Sequence, residues 1–241
     1  MSIGTNEGRP LAIPFGGPRV VTALTATSVA AFAVLMVLYR SGATKALDRA
    51  FQLQVREFRT EWLDFLAYWD DIIFRASWTF AAALMLAVIL WRVGPRWSWC
   101  APLAISFAVF AEAIVKNGFG QVLHPRAMLE GFLVLLGGHY HAPAAFPSGH
   151  VMRGMFLAIV ALAYLPRPAS IPLALFAATT LYARMYIEAH RLTDVFGGAF
   201  LGASVAFAAI GAVTLLAAIE RSRASSRPNP IVRWLGAWSV T

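Results

Sequence analysis

The stretch Val195 to Ile219 reads VFGGAFLGASVAFAAIGAVTLLAAI and carries no charge from end to end. A bilayer core about 30 Å thick needs about 20 mostly apolar residues in a helix, so this run is long enough to cross lipid and too long for an ordinary core helix. Gly197, Gly198, Gly202 and Gly211 lie in it among alanines. Small residues let helices approach closely in lipid, which predicts a helix buried among others. Outward from it, VVTALTATSVAAFAVLMVLY, Val20 to Tyr39, is equally clean between Arg19 and Arg40. A cleaved signal peptide has a shorter apolar core followed by small residues at a cleavage site, so Val20 to Tyr39 is read as a retained span. Four further runs follow from the same rule: Ile72 to Trp91, with Arg75 near enough to one end to snorkel; Trp97 to about Lys116; about Gly149 to Leu165; and Ser170 to about Ile187. The expected fold is all-α, one integral membrane bundle of six transmembrane helices over residues 1–241, with 221–241 a polar cytoplasmic tail.

Composition agrees. The chain is 59% hydrophobic and 13% charged, with a mean hydropathy of +0.65, whereas soluble domains are near half apolar and a quarter charged. Disorder, collagen and a disulfide scaffold are excluded by the same figures, and the lone Cys100 cannot form an intrachain bridge. The net charge of +8 admits nucleic acid, anionic lipid or a phosphorylated substrate. Without a basic run, nucleic acid is the weakest of the three, and no nucleic-acid partner is expected.

Between the first two spans, Ala43 to Asp71 is charged but patterned. Leu47, Phe51, Val55, Phe58, Trp62, Phe65 and Trp69 recur every three or four residues, and the charges take other faces. The pattern predicts an amphipathic helix in the membrane interface or across the bundle mouth, with a plain packed helix as the equal alternative. Asn117 to Ser148 reads as a loop with one short helix near Gly131 to Gly138. Six spans put both termini on one side. Basic residues divide almost evenly between the two faces, but once those assigned to the site are set aside the excess lies with the termini, which places the termini in the cytoplasm.

Polar chemistry gathers on the opposite face. All five histidines fall there, as does Lys116, one of only two lysines. Pro147-Ser148-Gly149-His150 directly precedes the fourth span. Serine is a preferred helix N-cap, and the free N–H groups of a helix start form an anion site. An ordinary capped helix accounts for Ser148 but does not require His150. Farther on, Arg184, His190 and Asp194 are spaced so that the last two share a helical face, provided the sixth helix starts early enough. Asp194 could then hold one imidazole nitrogen and free the other as nucleophile or base. The plainer alternative is an Asp–His contact at a helix start. His139-Tyr140-His141 could suggest a metal, but two histidines without a third ligand in register are poor grounds for one.

These strings resemble the type 2 phosphatidic acid phosphatase superfamily in its membrane lipid phosphatase branch, whose pattern is K-x6-R-P, then P-S-G-H, then S-R-x5-H-x3-D. The middle element is intact as Pro147 to His150; the last is matched at Arg184, His190 and Asp194 and runs on into Val195-Phe196-Gly197-Gly198. Two positions depart. Ala183 stands where the family has serine, a loss of one phosphate hydrogen bond worth about 1–3 kcal/mol. Seven residues after Lys116 stands Leu123, followed by His124-Pro125-Arg126. Arg126 is the first choice for the missing arginine, ahead of His124, and Arg153 could also supply the charge.

The resemblance implies roles. His190 attacks phosphorus with Asp194 holding its other nitrogen, giving a phosphohistidine, and His150 gives the leaving oxygen its proton. Lys116, Arg184 and Arg126, with the Ser148 hydroxyl and the Gly149 N–H, neutralise the phosphoryl oxygens. Glu112, four residues before Lys116, is placed to pair with it, and Glu188 and Arg191 are expected as gate or rim residues. No metal or other cofactor is implied. The implied activity is hydrolysis of a lipid phosphate or diphosphate by a multi-pass enzyme of the cell's inner membrane, at its extracytoplasmic face. A lipid phosphotransferase using the same residues and an inactive phospholipid-binding homologue are the alternatives.

Overall fold

A computed structural model of the chain describes residues 14–58, 60–95, 97–118 and 145–225, and among the described residues there is no strand. The helices are α1 (Pro18–Ser41), α2 (Lys45–Glu57), α3 (Glu61–Ile73), α4 (Ala76–Val93), α5 (Cys100–Leu103), α6 (Ile105–Gly118), α7 (Gly149–Tyr164), α8 (Arg167–Tyr186) and α9 (Leu192–Ser225). The chain is an integral membrane protein. Helices α1, α4, α5 with α6, and α9 are long and apolar enough to cross a bilayer. The other two expected spans are α7, with 16 residues, and α8, which carries Arg167 and Arg184 at its ends. The third span starts later than expected because Trp97 takes a left-handed backbone, φ 68. The last, α9, extends beyond the expected run at both ends.

The amphipathic segment is two helices instead of one. Thr60 is extended (φ −144, ψ 151) and its hydroxyl accepts from the Leu63 N–H, so it caps a new helix whose first turn holds Glu61 and Asp64. The apolar stripe continues across the break, which is why periodicity alone does not reveal it.

Helix α9 is the spine, packed against α1 along one side and α7 along another; α7 also packs on α8. The main core joins Leu86 and Leu90 of α4, Phe156 and Val160 of α7, and Ala206 and Ile210 of α9. Large apolar side chains such as Val34, Val37, Met85, Phe107, Leu175 and Leu215 face outward instead. A soluble protein could not sustain that surface; lipid makes it the favoured one.

The glycines of α9 do specific work at its start. A Cβ on Gly198 would strike the Ser148 carbonyl oxygen, and one on Gly202 would strike that of Met152, so α9 meets the backbone of α7 directly. A Cβ on Gly197 would run into the Phe146 ring. At Gly211 the nearest atom would be Val21 Cγ1 at 3.5 Å, an ordinary contact.

Helices α2 and α3 lie across the end of the bundle where α7 and α9 begin. Asp48 of α2 accepts from the Thr193 N–H (2.9 Å) and hydroxyl (2.7 Å) at the start of α9. Tyr186 of α8 places its hydroxyl 2.9 Å from Asp64 Oδ1 and accepts from the Thr60 N–H. Thr180 donates to Asp70 Oδ1 at 2.7 Å. The cap is tied down by polar contacts, while Trp62, Phe65 and Trp69 remain exposed on its outer face.

Candidate active site

The Pro147-Ser148-Gly149 turn is fixed from two sides. The Ser148 N–H donates to the Asp194 carbonyl at 2.8 Å, which ties the start of α7 to the first turn of α9. Gly149 lies so close to the Glu112 carboxyl of α6 that any side chain there would collide with it. Ser148 is extended at the N-cap position, yet its hydroxyl makes no capping bond. It is fully buried and has no hydrogen-bond partner among the described residues. The ordinary capped helix therefore does not account for this serine, whose hydroxyl is left for something else. The first N–H groups of α7 are likewise without an intrahelical partner.

His190 is not on the last helix. That helix starts at Leu192, and the His190 N–H donates to the Arg184 carbonyl in the preceding turn. The two residues the i,i+4 argument pairs are thus brought near each other by a different geometry. Asp194 occupies the third helical position and its Oδ2 accepts from the Arg191 N–H at 2.9 Å, as the acid of a capping box does. The same oxygen stands 3.8 Å from His190 Nδ1, beyond hydrogen-bond length but in position to close on it. Asp194 is completely buried. Burial, together with the charges of Arg184 and Lys116, holds the His190 imidazole below its ordinary proton affinity despite the nearby Asp194 carboxylate.

Two cationic arms flank the histidines. On one, Lys116 Nζ lies 2.8 Å from Glu112 Oε1, and Arg153 Nη1 lies 3.2 Å from Glu112 Oε2. Arg153 also donates from Nε and Nη2 to the Phe74 carbonyl, at 3.2 and 3.1 Å. Its donors are largely taken up in joining the α3–α4 turn, α6 and α7. On the other arm, Arg184 Nη1 donates to Asp71 Oδ1, while Arg184 Nε is buried and unpartnered among the described residues. His150 Nε2 stands 3.5 Å from that same Asp71 oxygen. Asp71 Oδ2 accepts from Arg75 at 2.9 Å. Although burial alone would raise the Asp71 carboxyl, hydrogen bonds from Arg75 and Arg184 hold it below its ordinary value.

The structure thus brings together His150, His190, Asp194, Ser148, Gly149, Lys116 and Arg184. Arg126 lies outside the described residues, as do His124, His139 and His141. Ala183 is buried against Val55, Ala67 and Tyr186, in the contact between α8 and the cap. Glu188 takes a left-handed turn, φ 58, and Arg191 is exposed. Asp71 was missed by sequence reasoning, which made it only the last residue of an amphipathic segment. The readable signal was two carboxylates in succession, Asp70-Asp71, at the edge of an apolar run, an expensive placement that calls for partners.

The PAP2 superfamily profile matches residues 97–216, which include every site residue above except Asp71 and its neighbours Phe74 and Arg75. Among solved structures, the fold is similar to that of a transmembrane PAP2-type phosphatidylglycerolphosphate phosphatase from Bacillus subtilis, with 19% sequence identity and a TM-score of 0.59 over 77% of this chain and 93% of that one. No curated protein matches the sequence.

Proposed function

The chain belongs to the PAP2 superfamily, and from that premise we propose that it is a phosphatase releasing phosphate from a lipid phosphate or lipid diphosphate, with its site at the extracytoplasmic face of the cell's inner membrane. The observation that carries this reading is a set of buried polar atoms without partners among the described residues: Ser148 Oγ, Arg184 Nε and His150 Nε2. Buried polar groups are ordinarily paired because an unmade hydrogen bond costs about 1–3 kcal/mol. Several orphans at one place, beside Lys116 and a helix start, suit a tetrahedral anion.

The reaction follows from these groups. With Nδ1 turned to Asp194, Nε2 of His190 attacks phosphorus, the bond from phosphorus to the lipid oxygen breaks, and protonated His150 gives that oxygen a proton. In the second step His150 takes a proton from water, the water oxygen bonds to phosphorus, and the P–N bond breaks to release phosphate and neutral His190. Lys116, Arg184, Ser148 Oγ and the Gly149 N–H hold the phosphoryl oxygens throughout, joined by Arg126. The scheme routes no step through a metal. We take the substrate to be an amphiphile because the cap beside the membrane helices exposes Trp62, Phe65 and Trp69; polyprenyl diphosphate, phosphatidic acid and phosphatidylglycerol phosphate all meet the requirement.

The test is phosphate release from a panel of lipid mono- and diphosphates by detergent-purified protein, with EDTA present. Release lost in His190→Ala is the expected result. Release that persists in that variant, or that EDTA abolishes, would overturn the mechanism; label passing to a lipid acceptor without free phosphate would make the enzyme a phosphotransferase.

A further inference from the structure

Asp71 stands outside the stretch matched by the family profile, on the cap helix α3, yet its carboxylate lies among the site's charged groups. One oxygen, Oδ1, accepts from Arg184 Nη1 and lies 3.5 Å from His150 Nε2. The other accepts from Arg75 Nη2 at 2.9 Å. Asp70, the next carboxylate, turns to Thr180 instead.

We propose that Asp71 is a positioning residue for this reaction: by gripping one end of the Arg184 guanidinium it turns the opposite edge, Nε, toward the phosphoryl group, and by the same oxygen it registers His150 against that arginine. This rests on the phosphatase reading above and deepens it.

The geometry explains why a carboxylate serves there. A guanidinium is a rigid fork with five donors, so fixing one terminal nitrogen fixes the direction of the rest. Arg184 is buried, with a side-chain exposure of 7%, and its Nε has no partner among the described residues. Without an anion at Nη1, the fork could rotate about its stem and the Nε edge would lose its aim. Arg75, half exposed at 56%, holds the carboxylate from the solvent side, so that Asp71 is itself set by two opposed cations. The cap therefore contributes to the site through Asp71, and the Tyr186 and Thr180 contacts that strap α3 to α8 hold Asp71 and Arg184 at a fixed spacing.

The experiment measures kcat and KM for lipid phosphate with Asp71→Asn and Asp71→Glu, each in the wild-type and the Arg184→Lys background, with His190→Ala as control and a detergent size-exclusion profile for each variant. Losing one charge-assisted contact predicts a fall of about 10- to 100-fold in kcat/KM for Asp71→Asn. Asp71→Glu should recover a good part of it. In the Arg184→Lys background the Asn substitution should cost less than about threefold, since two residues acting through one contact are not additive. A merely structural aspartate would give equal losses in both backgrounds and no recovery with glutamate, and that result would overturn the proposal, as would wild-type activity in Asp71→Asn. If His190→Ala keeps its activity, the phosphatase mechanism has failed instead. If it is inactive while Asp71→Asn is normal, only the role of Asp71 has failed.

Discussion

The two cationic arms of the site are built on different principles. Lys116 and Arg153 share Glu112 inside the bundle, with exposures of 10%, 8% and 11% for the three side chains. All three come from α6 and α7, and the Arg153 fork is largely committed to Glu112 and Phe74. Arg184 is as deeply buried, but its counter-ion Asp71 is 29% exposed and comes from the cap. The first arm is set by the packing of the membrane helices. The second depends on α3 keeping its place across the bundle end.

Breaking the sealed arm should have the largest effect on stability. Glu112→Gln would leave Lys116 and Arg153 charged and underpaired in a dry environment, a change expected to cost about 3–5 kcal/mol. Thermal unfolding in detergent would measure it, and a melting temperature unchanged from wild type would show that the pair is not sealed. Gly198→Val attacks the backbone contact that brings α7 to α9. Its side chain would press on the Ser148 carbonyl, and we expect loss of activity with a lower melting temperature, whereas Gly211→Ala should leave both within experimental scatter.

The capped arm should respond more through activity. Tyr186→Phe removes the hydroxyl that meets Thr60 and Asp64, at a cost of about 1–2 kcal/mol. The expected signature is a kcat/KM that falls more than stability would suggest, because the Asp71–Arg184 spacing loosens; equal activity at full occupancy of the folded state would remove the distinction between the arms.

Acidity separates the same regions. Burial pushes Asp70 up to about 6 even though Thr180 donates to it. The folded chain then binds that proton more tightly than the unfolded chain, so stability contributed at Asp70 falls as pH rises from its ordinary 3.8 to about 6. Asp70→Asn should flatten that part of the stability profile. The His190 shift works on activity instead. A nucleophilic imidazole must be neutral, and with its proton affinity lowered the acid limb of kcat/KM should lie below pH 6.5. This is the smallest effect; a limb at or above 6.5 would show that the Asp194 carboxylate outweighs burial and the neighbouring cations.

The sequence carried the membrane helices because uncharged length is a property of composition along the chain, and Val195 to Ile219 needed no neighbour to be read. It carried Ser148, His150, Arg184, His190 and Asp194 because their spacing is local. The break at Thr60 was harder, since the stripe from Phe51 to Trp69 runs through it and only the cap chemistry of Thr60, Glu61 and Asp64 marks it. The partners of Asp71 and the locking of Arg153 were not legible. Both depend on which helix ends meet, Asp71 with Arg184 across more than a hundred residues and Arg153 with Phe74 and Glu112, and no periodicity encodes such meetings.

The shortness of α7 has a consequence for depth. Its 16 residues rise about 24 Å, some 6 Å less than the hydrocarbon core they would have to cross. If α7 stands upright with Tyr164 at one boundary of that core, the Ser148 turn and the His150 beside it would stop short of the other. On the phosphatase reading proposed above, a lipid would then react without being lifted out of its leaflet, and water would have to reach the site.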